Sequence, residues 1–424
     1  SAQGIRQNSY QTNGSGIVYC ASKDGIHWTK DDKTTLFNGP RGSLDEYSCF
    51  APCVVRRDDA LFMYYSTGYL VKAKDPRRFR TSLAIHYFDK QRSALPTYRD
   101  HQDLQYYLDH LGRRVPVRTQ NDWMIRRHHV LGNMQRVMGP YAALQDSRSL
   151  DMKVIEEKEL GNLVRRKLTY RSDRQERITA YLFLPAERSK PSPAVLCLQQ
   201  TNRQGKEEVA GIKGDPNLAY ALHLAQRGYV TLAPDYPSFG DSRFDFDPMR
   251  GYVSGTMKAI FDNIRAVDLL QSLAEVDGNR IGVIGHSLGG HNAIFTAAFE
   301  PRLKVIVSNC GFCRFHKDDV PSWTSPKYMP RLATVYGNDP NRIPFDFPEI
   351  IGTFAPRPFL AIAAQGDTDF DYTGVQDSIK SAGPIYELLG AAAHLQAHYP
   401  KTKHAFLPPA RQVAYDFLDK YLKK

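Results

Sequence analysis

IGVIGHSLGGHNAIF, residues 281–295, runs from a short apolar segment through a serine set between glycines into a helix-like pattern. Gly285-His286-Ser287-Leu288-Gly289 fits the G-x-S-x-G arrangement, and its surroundings make it informative. RIGVI reads as a buried strand and GGHNAIFTAAF as a helix. A serine in so sharp a turn projects its hydroxyl beyond the sheet. Side chains two residues to either side would collide where strand and helix pass, so both positions need glycine. The turn also puts the hydroxyl at a helix N-terminus, where free N–H groups and the helix dipole favour developing negative charge. Ser287 is thus the expected nucleophile, and the Leu288 N–H one expected oxyanion donor. A plain serine N-cap in a βα turn is the alternative.

Outward from this stretch the pattern is regular. DMKVIEEKEL, NLVRRKLTYRS and ERITAYLFLPA read as three antiparallel strands at a sheet edge. After them short apolar runs such as PAVLCLQ, YVTLAPDYP, LKVIVSNCG and PFLAIAAQG alternate with helical segments of ten to twenty residues. That alternation predicts an α/β fold with a buried, mostly parallel, doubly wound sheet over residues 151–424.

An isolated hydroxyl is a weak nucleophile near neutral pH and needs a base and an orienting acid. In a strand–serine–helix architecture the chain order is serine, acid, histidine. KTKHAFLPP holds His404 just past the last strand, LQAHYP, and makes it the expected base; His398, inside that strand, is the weaker choice. RPFLAIAAQGDTDFDYTG offers three carboxylates, Asp367, Asp369 and Asp371.

Residues 151–424 resemble the α/β-hydrolase superfamily, in its dienelactone-hydrolase and acetyl-xylan-esterase-like branch. The resemblance rests on YALHLAQRGYVTLAPDYPSFGDS and GHSLGGHNA. Dienelactone hydrolases proper use a cysteine, so Ser287 points to ester chemistry. The step from Gly366 seen in related hydrolases selects Asp369 as the acid. By position the second oxyanion donor is the Thr201 N–H, with Gln200 next; this chain has Gln199-Gln200 where many relatives carry His-Gly. The resemblance implies no metal or organic cofactor. It also implies that the long stretch at about 311–350 forms a cap-like insertion. Trp323, Tyr328 and Met329 there, with His286 beside the nucleophile, are the candidate substrate pocket.

The rest of the chain reads differently. Residues 1–90 look β-rich, and Ser22-Lys23-Asp24-Gly25-Ile26-His27-Trp28 followed by LFMYYS resembles one blade of the β-propellers of glycan-processing enzymes. Trp28, Tyr64 and Tyr65 could stack on a sugar. Residues 91–150 read as a helical lead-in: DHQDLQYYLDHLG as a helix ending at Gly112, then NDWMIRRHHVLGNMQRVMG as a helix starting at Asn121 or Asp122.

Net charge is +11, of which +8 falls in residues 1–150 and +3 in the remainder, which suits a neutral substrate rather than a polyanion such as nucleic acid. Six cysteines in 424 residues make no disulfide framework, though Cys20, Cys49 and Cys53 could include a bridge; Cys310 and Cys313 form a lone CxxC without the second pair a zinc site needs. No run of about 18 apolar residues predicts a membrane span. The polar first residues carry no secretory signal, which leaves a cytoplasmic protein or a secreted or periplasmic one after signal removal.

The sequence thus predicts a serine-dependent carboxylic-ester hydrolase acting on a small or carbohydrate ester, an acetyl ester among them. A prolyl-oligopeptidase-like peptidase, which shares this core, and a carbohydrate-binding module with a vestigial glycosidase segment are the alternatives.

Overall fold

A computed structural model describes residues 95–423 apart from 142–148, 174–175, 188–189 and 247–251, and the backbone of residues 17–21, 29–36, 49–57, 60–68 and 79–87. The string 22–28 with Trp28 lies outside the described residues. So do the side chains of Tyr64 and Tyr65, and those of Cys20, Cys49 and Cys53. The chain divides into two compact units, Ser1–Pro96 with Asp109–Arg113, and Thr97–Leu108 with Arg114–Lys424.

In the first unit β1 (Ile17–Ala21) pairs antiparallel with β2 (Thr29–Leu36). The strands β3 (Cys49–Arg57), β4 (Ala60–Gly68) and β5 (Phe79–Tyr87) form an antiparallel sheet of their own.

The second unit opens on a correction. DHQDLQYYLDHLG is not a helix: β6 (Tyr106–Leu108) pairs antiparallel with β7 (Arg114–Pro116). The connecting turn is built by Asp109, whose carboxylate accepts the N–H groups of Leu111 and Arg113. Such a local side-chain-to-backbone bond competes with helix. The second lead-in segment is a helix, α1 (Gln120–Met138), but its cap is Thr119. Asp122 is the third helical residue and completes a capping box with Thr119.

Nine strands make the main sheet, in the order β16-β15-β14-β13-β11-β12-β10-β9-β8. At one edge β8 (Lys153–Leu160), β9 (Leu163–Arg171) and β10 (Arg177–Pro185) are antiparallel, and β10 runs antiparallel to β12 (Val230–Pro234) as well. The remainder is parallel: β11 (Ser192–Leu198), β12, β13 (Val276–His286), β14 (Leu303–Asn309), β15 (Phe359–Ile362) and β16 (Leu395–His398). The outermost strand β8 carries Lys153, Glu156, Glu157, Lys158 and Glu159, charges that keep an open sheet edge in water.

The two-residue period of the strands separates two cores. Leu196, Leu198, Val283, Ile306 and Ala361 face one side. There they meet α1, α4 (Gly255–Ser272), α5 (Leu288–Phe299), α7 (Phe347–Thr353) and α8 (Tyr372–Leu388). Val195, Cys197, Ile284, Val305, Leu360 and Ile362 face the other side, against α3 (Tyr220–Gln226) and α9 (Pro408–Leu422). Two short helices, α2 (Lys206–Val209) and α6 (Arg331–Thr334), lie in connecting loops. No helix among the described residues is long and apolar enough to cross a membrane.

Within this unit, Thr97–Leu108 and α1 are locked to the core by a buried ionic cluster. Arg126 donates to Glu349 at 2.5 Å and to the Tyr106 carbonyl at 2.8 Å, and lies over the Tyr98 ring at 3.2 Å. His101 Nδ1 stands 2.8 Å from the other Glu349 oxygen. Burial opposes a charged imidazole, but Glu349 outweighs it and raises the His101 pKa. Burial likewise opposes the Glu349 charge, and the two cations overcome it and hold its pKa below the usual carboxylate range.

Glu349→Ala leaves Arg126 charged and buried without its partner, and urea unfolding at pH 6 is expected to read a loss of about 3–5 kcal/mol. The contribution of His101 is complete below its unfolded value of about 6.5 and is lost as pH rises through its raised folded value. Melting temperature should therefore fall above about pH 6.5, and His101→Gln should flatten that fall.

Candidate active site

Ser287 directly follows β13 with φ 53° and ψ −124°, a left-handed conformation that a non-glycine residue adopts only under constraint. Its N–H donates to the Asn309 carbonyl of β14 at 2.9 Å, and its carbonyl accepts the His291 N–H at 3.0 Å, which starts α5. Both glycines are required as expected. A Cβ on Gly285 would overlap the backbone of Gly289, and one on Gly289 would overlap the Leu198 carbonyl at the end of β11. Leu288 is the first residue of α5, so its N–H has no intrahelical carbonyl to bond.

The same contact brings the loop after β11 against the N-terminus of α5. That loop is heavily braced. Glu208 accepts hydrogen bonds from the Gln200 side chain at 2.8 Å and from the Asn202 side chain, and Asn202 in turn accepts the Gly205 N–H at 2.7 Å. Buried Asp235 accepts the Lys206 N–H at 2.9 Å and the Lys206 ammonium at 2.6 Å. Thr201 has its hydroxyl 3.2 Å from the Tyr328 hydroxyl.

His404 lies in the loop between β16 and α9, as the sequence predicts. Its Nδ1 is 2.9 and 3.0 Å from the two carboxylate oxygens of Asp367. Asp369, the acid selected from the sequence, stands instead 3.7 Å from Nε2 with a side chain 62% exposed, and Asp371 caps α8. The carboxylate that faces Nδ1 is therefore Asp367, not Asp369. The physical reason is the turn itself: Asp367 accepts the N–H groups of Asp369 and Phe370 at 2.9 and 3.2 Å, which folds Asp367 inward and leaves Asp369 at the rim. Burial works against the Asp367 charge, but His404, the Asp369 N–H and the Cys310 thiol together hold its pKa below the usual range. His398 lies within β16, where it pairs with Ile362.

His286 is not a pocket residue. It is buried, its ring packs 4.7 Å from that of His404, and its Nδ1 faces the Asn309 side chain at 2.6 Å. Burial and then the neighbouring His404 push its pKa down to about 3, so it is neutral packing beneath the imidazole. Asn309 also donates to the Ala405 carbonyl at 3.3 Å. One residue of β14 thus ties the serine turn to the His404 loop.

Met329 is fully buried in the core. Trp323 is also largely buried, stacked on His291 at 4.1 Å with its indole N–H on Asp318. Phe370, which the sequence reading passed over, lies 5.9 Å from Trp323 and 6.0 Å from His404. Tyr328, half-buried, joins the 310–358 segment to Thr201. That segment is pinned to the start of α4 by the bonds Gly255 N–H to Pro326 and Thr256 N–H to Tyr328.

Cys310, read from the sequence as half of a lone CxxC, lies against Asp367. It follows β14 directly at φ 45°, is buried, and donates its thiol to Asp367; burial and then that carboxylate push its pKa up to about 12. Its signal was position alone, at the end of the strand beside the serine strand.

The acetyl xylan esterase (AXE1) family model matches residues 142–318, which contain the braced loop and the serine turn. The chain has the α/β-hydrolase fold, is similar to the acetyl xylan esterases, and is a carboxylic ester hydrolase. It is 29% identical to YtaP of Bacillus subtilis (strain 168) over 296 residues, 66% of this chain and 95% of that protein. It is 29% identical over 160 residues to the acetyl esterase Axe7A of Xylanibacter ruminicola, a match spanning 34% of each. Among solved structures it resembles a glucuronoyl esterase from Solibacter usitatus, with a TM-score of 0.60, 19% identity, and coverage of 77% of this chain and 98% of that one. A CE15 esterase from a marine bacterial metagenome gives a TM-score of 0.59 at 17% identity, covering 77% and 100%. At these identities the two structures speak for the fold.

Gly289→Ala drives a methyl into the Leu198 carbonyl and is expected to cost at least about 1–3 kcal/mol in thermal unfolding, with esterase activity falling as α5 is displaced. Gly383→Ala in α8, where a Cβ meets nothing within 4 Å, should instead stabilise by up to about 1 kcal/mol.

Proposed function

We propose that the chain hydrolyses acetyl and similarly small esters carried on carbohydrate, with Ser287 as nucleophile, His404 as base and Asp367 as the orienting acid. The observation that carries the reading is the two-oxygen grip of Asp367 on His404 Nδ1, which keeps the proton on Nδ1 and leaves Nε2 to accept. The Ser287 hydroxyl adds to the ester carbonyl as its proton passes to His404 Nε2. The resulting oxyanion is held by the Leu288 N–H and by an N–H of the braced loop, Thr201 by position with Gln200 next. His404 then delivers the proton to the departing sugar hydroxyl. A water activated by the same imidazole releases acetate and regenerates Ser287. Asp367 stays ionised throughout and stabilises the imidazolium.

The carbohydrate assignment draws on the family model, on the acetyl esterase relative and on the glucuronoyl esterase fold. Tyr328, half-buried beside Thr201, is the residue offered to the sugar.

Acetylated xylan and p-nitrophenyl acetate test the reaction, with a peptide amide as the contrasting substrate. Ser287→Ala should abolish acetate release. Asp367→Asn should lower kcat by about 10⁴-fold, while Asp369→Asn stays within a few-fold. Retention of most activity by Ser287→Ala, or preference for the amide, would remove the reading.

A further inference from the structure

Three side chains of different chemistry meet behind the imidazole. The Cys310 sulfur, an Asp367 carboxylate oxygen and a His404 ring nitrogen all lie within 4.8 Å of one another. They come from three separate segments: the end of β14, the turn after β15 and the loop before α9. Cys310 and the Asp367 carboxylate are buried, while the His404 side chain is 19% exposed and opens the cluster to solvent. Thiol, carboxylate and imidazole together form a donor set that a borderline-soft divalent cation prefers. Such a cation takes these ligands at about 2.0–2.3 Å, so pairs of ligand atoms stand about 3.3–3.7 Å apart in a tetrahedron. His404 Nδ1 and Asp367 need to separate by only a few tenths of an ångström from their 2.9 Å contact.

We propose that Cys310, Asp367 and His404 form an inhibitory site for a thiophilic divalent cation of the zinc class. Binding forms bonds from the metal to Cys310 Sγ, an Asp367 oxygen and His404 Nδ1. The Cys310 S–H bond breaks and its proton leaves to solvent, since a coordinating thiol is deprotonated outright. His404 remains neutral, but with Nδ1 occupied its proton is carried on Nε2. That tautomer donates at the atom that has to accept the Ser287 proton, so the base is lost without any change in the serine turn. The inhibition rests on the serine-hydrolase reading above; the binding does not.

Cobalt(II) added to the full chain is the probe. A thiolate-to-cobalt charge-transfer band saturating at one ion per chain, lost in Cys310→Ala, is expected. Zinc should displace that band and block p-nitrophenyl acetate hydrolysis, with recovery on adding EDTA. Against each variant's own metal-free rate, half-inhibition by zinc should need at least about tenfold more metal in Cys310→Ala and Cys310→Ser. Absence of the band on the unaltered chain overturns the proposal, and this holds even where a variant fails to fold. A band or a zinc inhibition unchanged in both variants overturns it too. A Cys310-dependent band on a chain without esterase activity would support the site and remove the serine-hydrolase reading instead.

Discussion

Where α5 passes the end of β11, the backbone of Gly289 lies against the Leu198 carbonyl with no room for a Cβ. Most of the site depends on this contact. It forces Ser287 into a left-handed turn that costs on the order of 1–3 kcal/mol and that two parallel neighbours, β11 and β14, hold in place. It also fixes the loop carrying Gln200 and Thr201 beside the first free N–H groups of α5. The Ser287 turn and the first N–H groups of α5 are therefore placed against the loop after β11 by a single backbone packing event.

Electrostatics behind the serine turn are simple because most titratable neighbours are kept neutral. Burial holds His286 uncharged and Cys310 protonated. Asp367 is the carboxylate that faces His404 Nδ1, and it accepts from the imidazole, from two backbone N–H groups and from the thiol. A negative charge so fully satisfied stays ionised and directional, which is what an orienting acid requires. The same crowding of acceptors and a thiol is what makes the cluster a candidate for a cation.

The loop after β11 shows how charge is used for position. Lys206 and Asp235 are both buried, and their pairing anchors the loop from below while Glu208 gathers Gln200 and Asn202 from within it. Above, Tyr328 reaches Thr201 from the segment between β14 and β15, which is itself fastened to α4 by main-chain hydrogen bonds. Preorganised donors of this kind stabilise an oxyanion because no reorganisation is needed when charge develops.

Local pattern determined the strands, the long helices after residue 151, and the places of Ser287 and His404 between them. Those signals depend on periodicity and chain order, which a linear sequence carries. It misread residues 100–112, where an aspartate-built turn outcompeted helix, and it placed the cap of α1 two or three residues late. Tertiary structure alone chose Asp367 over Asp369, because two residues apart in one turn can face opposite ways and only the fold shows which is inward. It alone buried His286 and Met329, brought Cys310 to the acid, and joined Arg126, His101 and Glu349 across more than two hundred residues. Contacts between distant segments are set by how the layers pack, and no spacing in the sequence encodes them.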